Sequence, residues 1–149
     1  FQARPYIDSV TEHRPYARAL DRLKAVGLRP TRQRLGLAKL LFDGGDRHVS
    51  AEQLHDETLS ASMRVSLATI YNTLHQFTAS GMLREVVVEP GRAYFDTNTS
   101  DHHHFYHPAD GLLEDIASDR LAVATLPAPP AGMAIERVDV IIRVKTSSR

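Results

Sequence analysis

The chain contains no cysteine. That one absence removes disulfides, a cysteine-based zinc ribbon, iron–sulfur ligation and thiolate-bound haem together. No apolar run approaches the roughly 18 residues of a membrane span, so no membrane partner is expected. Net charge is missing too, with 18 Lys and Arg against 18 Asp and Glu. No signal-peptide pattern occurs, and a cytoplasmic location is the default expectation. The chain opens at Phe1 without a methionine, so it reads as trimmed, and a removed targeting segment stays open.

What is present is a soluble globular composition, 42% hydrophobic and 24% charged, in 149 residues, enough for one ordinary domain or two small ones. Its zero net charge is an average over two unlike parts. From His13 to Arg47 there are nine Lys and Arg against three Asp and Glu; the remaining positions hold nine against fifteen. A basic N-terminal third suggests a nucleic-acid face, although a few solvated helix faces would give the same count. Four of the eight histidines fall between positions 102 and 107.

Phe1 to Arg14 has little periodicity and reads as an arm. From Tyr16 the pattern is helical, with Ala19, Leu20 and Leu23 on one face and Gly27 as the stop. Pro30 is expected at the start of a second helix carrying Leu35, Ala38, Leu41 and Phe42, ended by Gly44-Gly45. Ser50 with Gln53 forms a capping box for a third, with Ala51, Leu54 and Thr58 or Leu59 inward. Ser66 and Thr69 open a fourth helix whose apolar stripe is Leu67, Ile70, Leu74 and Phe77, with Gly81 after it. Its other face offers Ala68, Asn72, His75 and Gln76, flanked by Tyr71 and Thr69. Strands Met82–Glu89 and Arg92–Asp96 meet at Pro90-Gly91. Helices followed by a hairpin is the winged helix-turn-helix order, with the fourth helix in the major groove and the hairpin as wing.

After Asp96 the composition changes. Thr97–Asp101 is a polar linker, His104–His107 a short aromatic strand and Leu112–Ile116 a further strand. Asp119–Ala124 reads as a short helix, Leu126–Gly132 as a proline-rich turn and Ile135–Lys145 as a strand with one buried face. The fold class is therefore α+β: an N-terminal winged helix-turn-helix DNA-binding domain and a small C-terminal α/β dimerisation domain. The boundaries are an arm over 1–15, the winged helix over 16–96, the linker over 97–101 and a dimerisation and sensing domain over 102–149. A unit of about fifty residues rarely buries enough surface alone, which points to pairing with a second copy.

GLRPTRQRL (Gly27–Leu35), HVSAEQL (His48–Leu54), LATIYNTLHQF (Leu67–Phe77), GMLREV (Gly81–Val86), YFDTNTSDHHH (Tyr94–His104) and GLLEDI (Gly111–Ile116) follow one another in an order that resembles the ferric uptake regulator family. The triple histidine and missing cysteine look most like its haem-responsive iron response regulator branch. The resemblance implies a homodimeric repressor of iron or haem homeostasis genes that binds double-stranded operator DNA. It also implies an effector site between the two domains that sets the spacing of the DNA-binding heads. By motif, His48, Asp96, His102, His104 and Asp115 stand where the family has regulatory metal ligands. Tyr71 matches its DNA-contacting tyrosine, flanked by Thr69 and Asn72. Arg29, Arg32 and Arg34 match its basic approach to the second helix, where phosphate contacts belong. Arg92, at the wing tip, would reach the minor groove.

The residue chemistry agrees. His102 and His104, two apart on an extended segment, point to one side. Three imidazoles and two carboxylates suit one Fe-, Mn- or Zn-type divalent ion per chain. Singly, His48 also reads as a hydrogen-bonding residue before a helix, and Asp115 as a surface acid. Haem is a second effector in view, with His102, His103 and His104 as candidate axial ligands; His103 is equally open to a supporting role or simple exposure. No structural zinc held by four cysteines is expected, since the positions of the family's first Cys-x-x-Cys pair hold His107 and Asp110. Ala122 and Val138 replace the Glu and His of an additional family site.

Two rivals follow from the same residues. A regulator of this fold could sense peroxide by oxidising an iron-bound histidine. A metallo-hydrolase built on His102-x-His104-x-x-His107 would need a general base beside an open zinc position. No His-Glu-x-x-His pattern supplies one, so the protein is not expected to be an enzyme.

Overall fold

The computed structural model describes residues 15–147; the expected arm over Phe1–Arg14 lies outside them. Among the described residues four helices come first: α1 (Ala17–Ala25), α2 (Arg32–Phe42), α3 (Ala51–Ser60) and α4 (Leu67–Ala79). Six strands accompany and follow them: β1 (His48–Val49), β2 (Arg84–Glu89), β3 (Arg92–Asp96), β4 (His103–His107), β5 (Leu112–Ile116) and β6 (Ile141–Arg143). Two three-stranded sheets result, ordered β1-β3-β2 and β5-β4-β6. The chain divides into two compact units. One comprises the described part of Phe1–Glu85 with Ala93–Thr99, and the other comprises Val86–Arg92 with the described part of Ser100–Arg149. None of the helices is long and apolar enough to cross a membrane among the described residues.

Helix α1 starts without a side-chain cap, whereas α2, α3 and α4 start where the sequence supplies an acceptor for orphan N–H groups. Thr31 Oγ1 accepts from the Arg34 N–H, which makes Thr31 the cap and leaves Pro30 one position before the cap rather than in the first turn of α2. Ser50 and Gln53 form both halves of the expected capping box on α3. Ser66 Oγ accepts from the Thr69 N–H at 3.1 Å to open α4. The helical unit then closes on one core: Ala19 and Leu23 from α1, Leu37, Ala38, Leu41 and Phe42 from α2, Ala51 and Leu54 from α3, and Ile70, Leu74 and Phe77 from α4. Thr58 is buried whereas Leu59 is 61% exposed, which settles the inward residue of α3's last turn.

Hairpin β2–β3 turns at Gly91, whose φ of +77° is a left-handed conformation that glycine adopts without strain. Strand β1, too short to show any periodicity, pairs antiparallel with β3 in the register His48↔Asp96 and Val49↔Phe95.

In the C-terminal unit β4 pairs antiparallel with β5 and parallel with β6. Two expectations fail here. The helix expected over Asp119–Ala124 is only a 3₁₀ turn, Ser118–Arg120. Pro127, Pro129 and Pro130 follow closely and cannot donate to a continuing helix, and Val123 and Leu126 remain exposed. The strand expected over Ile135–Lys145 is confined to Ile141–Arg143. With His104 paired to Ile141, residues 135–139 fall opposite the linker, where no strand exists to complete a ladder. Alternation alone could not reveal that.

Candidate functional site

Strand pairing, not sequence proximity, builds the candidate ligand groups. In the helical unit the β1–β3 register sets His48 opposite Asp96, with His48 Nε2 3.3 Å from Asp96 Oδ2. Asp96 is only 1% exposed. Arg47 and Thr97 clamp the pair from the next position on each strand. The Arg47 N–H donates to Thr97 Oγ1 and the Thr97 N–H donates to the Arg47 carbonyl. Arg47 also makes a two-pronged bond to Glu57 of α3, which raises its already high pKa and keeps it charged. Sequence reasoning missed this clamp, because a two-residue strand is too short to show periodicity.

In the C-terminal unit His102 and His104 do face one side. They are 5% and 1% exposed, with ring centroids 4.6 Å apart in an edge-on arrangement. The β4–β5 register brings Asp115 beside His104. One carboxylate oxygen, Asp115 Oδ1, then lies 3.5 Å from His102 Nε2 and 3.4 Å from His104 Nε2. These three residues each offer a ligand atom within 4.8 Å of the others. His102 Nδ1 lies 2.6 Å from the Ser100 carbonyl. A carbonyl can only accept, so Nδ1 carries a proton, and Nε2 is the ring nitrogen turned to the Asp115 side.

His103 points elsewhere, and its Nδ1 accepts the Val140 N–H at 3.1 Å. With the His104 N–H donating to the Val140 carbonyl, it fastens the approach of β6 to β4. His107 pairs with Glu114 at 3.1 Å, and Asp110 accepts the N–H of Leu112 in the β4–β5 turn.

The expected DNA-reading residues lie on the helical unit, Arg92 excepted. Ala68, Tyr71, Asn72, His75 and Gln76 form the exposed face of α4. Thr69 is half-buried and its hydroxyl takes part in the cap, accepting from Ser66 Oγ. The Tyr71 hydroxyl donates to Glu52 Oε2 at 2.6 Å, and this bond raises the phenol pKa. Arg29 and Arg32 are exposed beside the positive N-terminal end of α2. Arg34 instead donates to the Arg29 carbonyl and to Gln76 Oε1, tying the start of α2 to α4. Arg92 belongs with the C-terminal unit, where its guanidinium donates to the hydroxyl of Tyr106 at 3.0 Å. The Tyr106 hydroxyl in turn donates to Glu89.

Several known proteins share this arrangement of elements. The structure of the ferric uptake regulator from Pseudomonas aeruginosa with manganese superposes with a TM-score of 0.64, at 22% identity, covering 86% of this chain and 97% of that one. The Vibrio cholerae ferric uptake regulator gives 0.66 at 21% identity, covering 85% and 98%. At those identities the likeness establishes the α+β fold. In sequence, the ferric uptake regulation protein of Cupriavidus metallidurans is 37% identical over 81 residues, 54% of this chain and 57% of that relative. The match thus spans rather more than half of the relative's length. The model of the ferric uptake regulator family matches residues 25–142. On that match the chain belongs to the ferric uptake regulator family.

Proposed function

We propose that this protein is a homodimeric, DNA-binding transcriptional repressor controlled by one divalent metal ion per chain. Its proposed ligands are His48, Asp96, His102, His104 and Asp115. The division of labour is a winged helix over 16–96, a linker over 97–101 and a dimerisation and sensing domain over 102–149, working in the cytoplasm on iron or haem homeostasis genes. On DNA, Tyr71, with Thr69 and Asn72, reads the major groove, and Arg29, Arg32 and Arg34 approach phosphates. Arg92 would have to leave Tyr106 to enter a minor groove.

The observation that carries this reading is the buried imidazole pair sharing Asp115 Oδ1. Two imidazoles aimed at one carboxylate form a donor set for a borderline or hard divalent ion, with no sulfur to favour a soft one. When bound, the ion would supply positive charge to the carboxylates and a point on which its ligands converge. Manganese in the Pseudomonas relative supports the same class of ion. Haem fits less readily at His102 and His104, because both residues are buried and both Nε2 atoms lie against Asp115, which leaves a macrocycle little room at the ligating nitrogens. A haem would engage His103 or require β4 to open.

The test is DNA affinity of the purified protein with Mn(II) or Fe(II), with haem, with peroxide after Fe(II), and with chelator. A change on adding the ion alone supports metal control. A change confined to haem would transfer the effector role to haem, and one confined to peroxide would favour the oxidation sensor.

A further inference from the structure

Glu52 sits in the first turn of α3, where the positive end of the helix favours a carboxylate. Its partner Tyr71 lies on the exposed face of α4, 37% exposed. The 2.6 Å separation is that of a charge-assisted bond between a neutral phenol and an ionised carboxylate. On its other side Tyr71 meets His75, with centroids 6.3 Å apart, and His75 stands edge-on to Phe95 of β3 at 5.8 Å. The phenol ring is therefore bracketed by a carboxylate on one helix and a ring on its own.

We propose that Glu52 is a positioning residue for DNA reading, holding the Tyr71 ring in the orientation in which it meets a base. This rests on the proposed DNA-binding role of α4. Helices α3 and α4 do not need the bond to stay together, since Ala51, Leu54, Ile70 and Leu74 already share one core. Both bonded groups face water, so the bond adds little to folding. Its effect falls on the ring. An exposed tyrosine without it would have to be ordered by the DNA, and immobilising such a side chain weakens binding by about two- to tenfold. That loss applies where the ring contacts a base and not where binding is only to phosphates.

The test uses the full chain, metal-loaded, with a duplex selected by the wild type from a random-sequence pool and an unrelated duplex of equal length. The readout is the ratio of the two affinities, because removing a carboxylate strengthens binding to all DNA alike. Glu52→Ala is expected to lower the ratio by about two- to tenfold. Glu52→Gln, which keeps an acceptor oxygen, is expected to restore it. Tyr71→Phe, which deletes the donor, should lower it similarly, and the Glu52→Ala/Tyr71→Phe pair should be no worse than the larger single loss. Ultraviolet titration should show one tyrosine returning to the ordinary range in Glu52→Ala. An unchanged ratio in Glu52→Ala, or losses that multiply in the pair, would overturn the positioning role while leaving DNA binding standing. If the wild type selects no duplex, the DNA-reading role fails, and this proposal with it.

Discussion

One oxygen of Asp115 faces two buried imidazoles, so this residue is the most economical probe of the ligand set. Asp115 itself is 45% exposed, which makes Asp115→Asn tolerable to the fold. The amide keeps the shape and loses the charge. Metal affinity should fall on the order of 10–100-fold or more, given what loss of even a supporting carboxylate costs such sites; calorimetric titration with Mn(II) measures it. Unchanged affinity would mean that the ion binds elsewhere. At this scale the sequence was informative where geometry is local. The i, i+2 spacing of His102 and His104 sufficed to put both rings on one side and His103 on the other. It could not show that the Ser100 carbonyl engages His102 Nδ1, or that Arg34 is engaged with Gln76, because those partners are brought in by loop and helix packing.

Helix α4 is the element whose reading was most complete, because Ile70, Leu74 and Phe77 recur at the period of a helix and Ser66 marks its start. The caps also make a measurable difference. Ser50→Ala removes the acceptor for the Gln53 N–H and breaks the capping box. It is expected to cost about 1 kcal/mol in chemical denaturation. A loss below a few tenths would show that water replaces the cap freely. Strands were legible in proportion to their independence. Leu112–Ile116 turns back on β4 through a tight turn, so its limits could be read from the sequence. Strand β6 pairs parallel with β4 from a distant part of the chain, and its extent is set by where β4 begins. Strand β1 exists only because β3 lies beside it. Neither fact is written in the strand's own residues.

At the scale of the whole molecule, the C-terminal unit leaves Leu112, Val123, Leu126, Met133 and Ile135 exposed. So many large apolar side chains on a small unit are better explained by a covered face than by a free one. A dimer at micromolar concentration is expected by light scattering; a monomer would leave that surface without a purpose and remove the proposed two-headed grip on DNA. The proposed control needs the ion to bind two states of the protein with different affinity, which is what a switch requires. Allosteric coupling of this kind is typically about 5–150-fold in affinity. The most direct measurement is therefore the DNA affinity of the wild type and of a His102→Ala/His104→Ala variant, each titrated with Mn(II) at fixed salt. The wild type should change within that range while the variant stays flat, its helical unit folded and its metal-free DNA binding retained. A variant that responds to the ion as the wild type does would contradict control through His102 and His104.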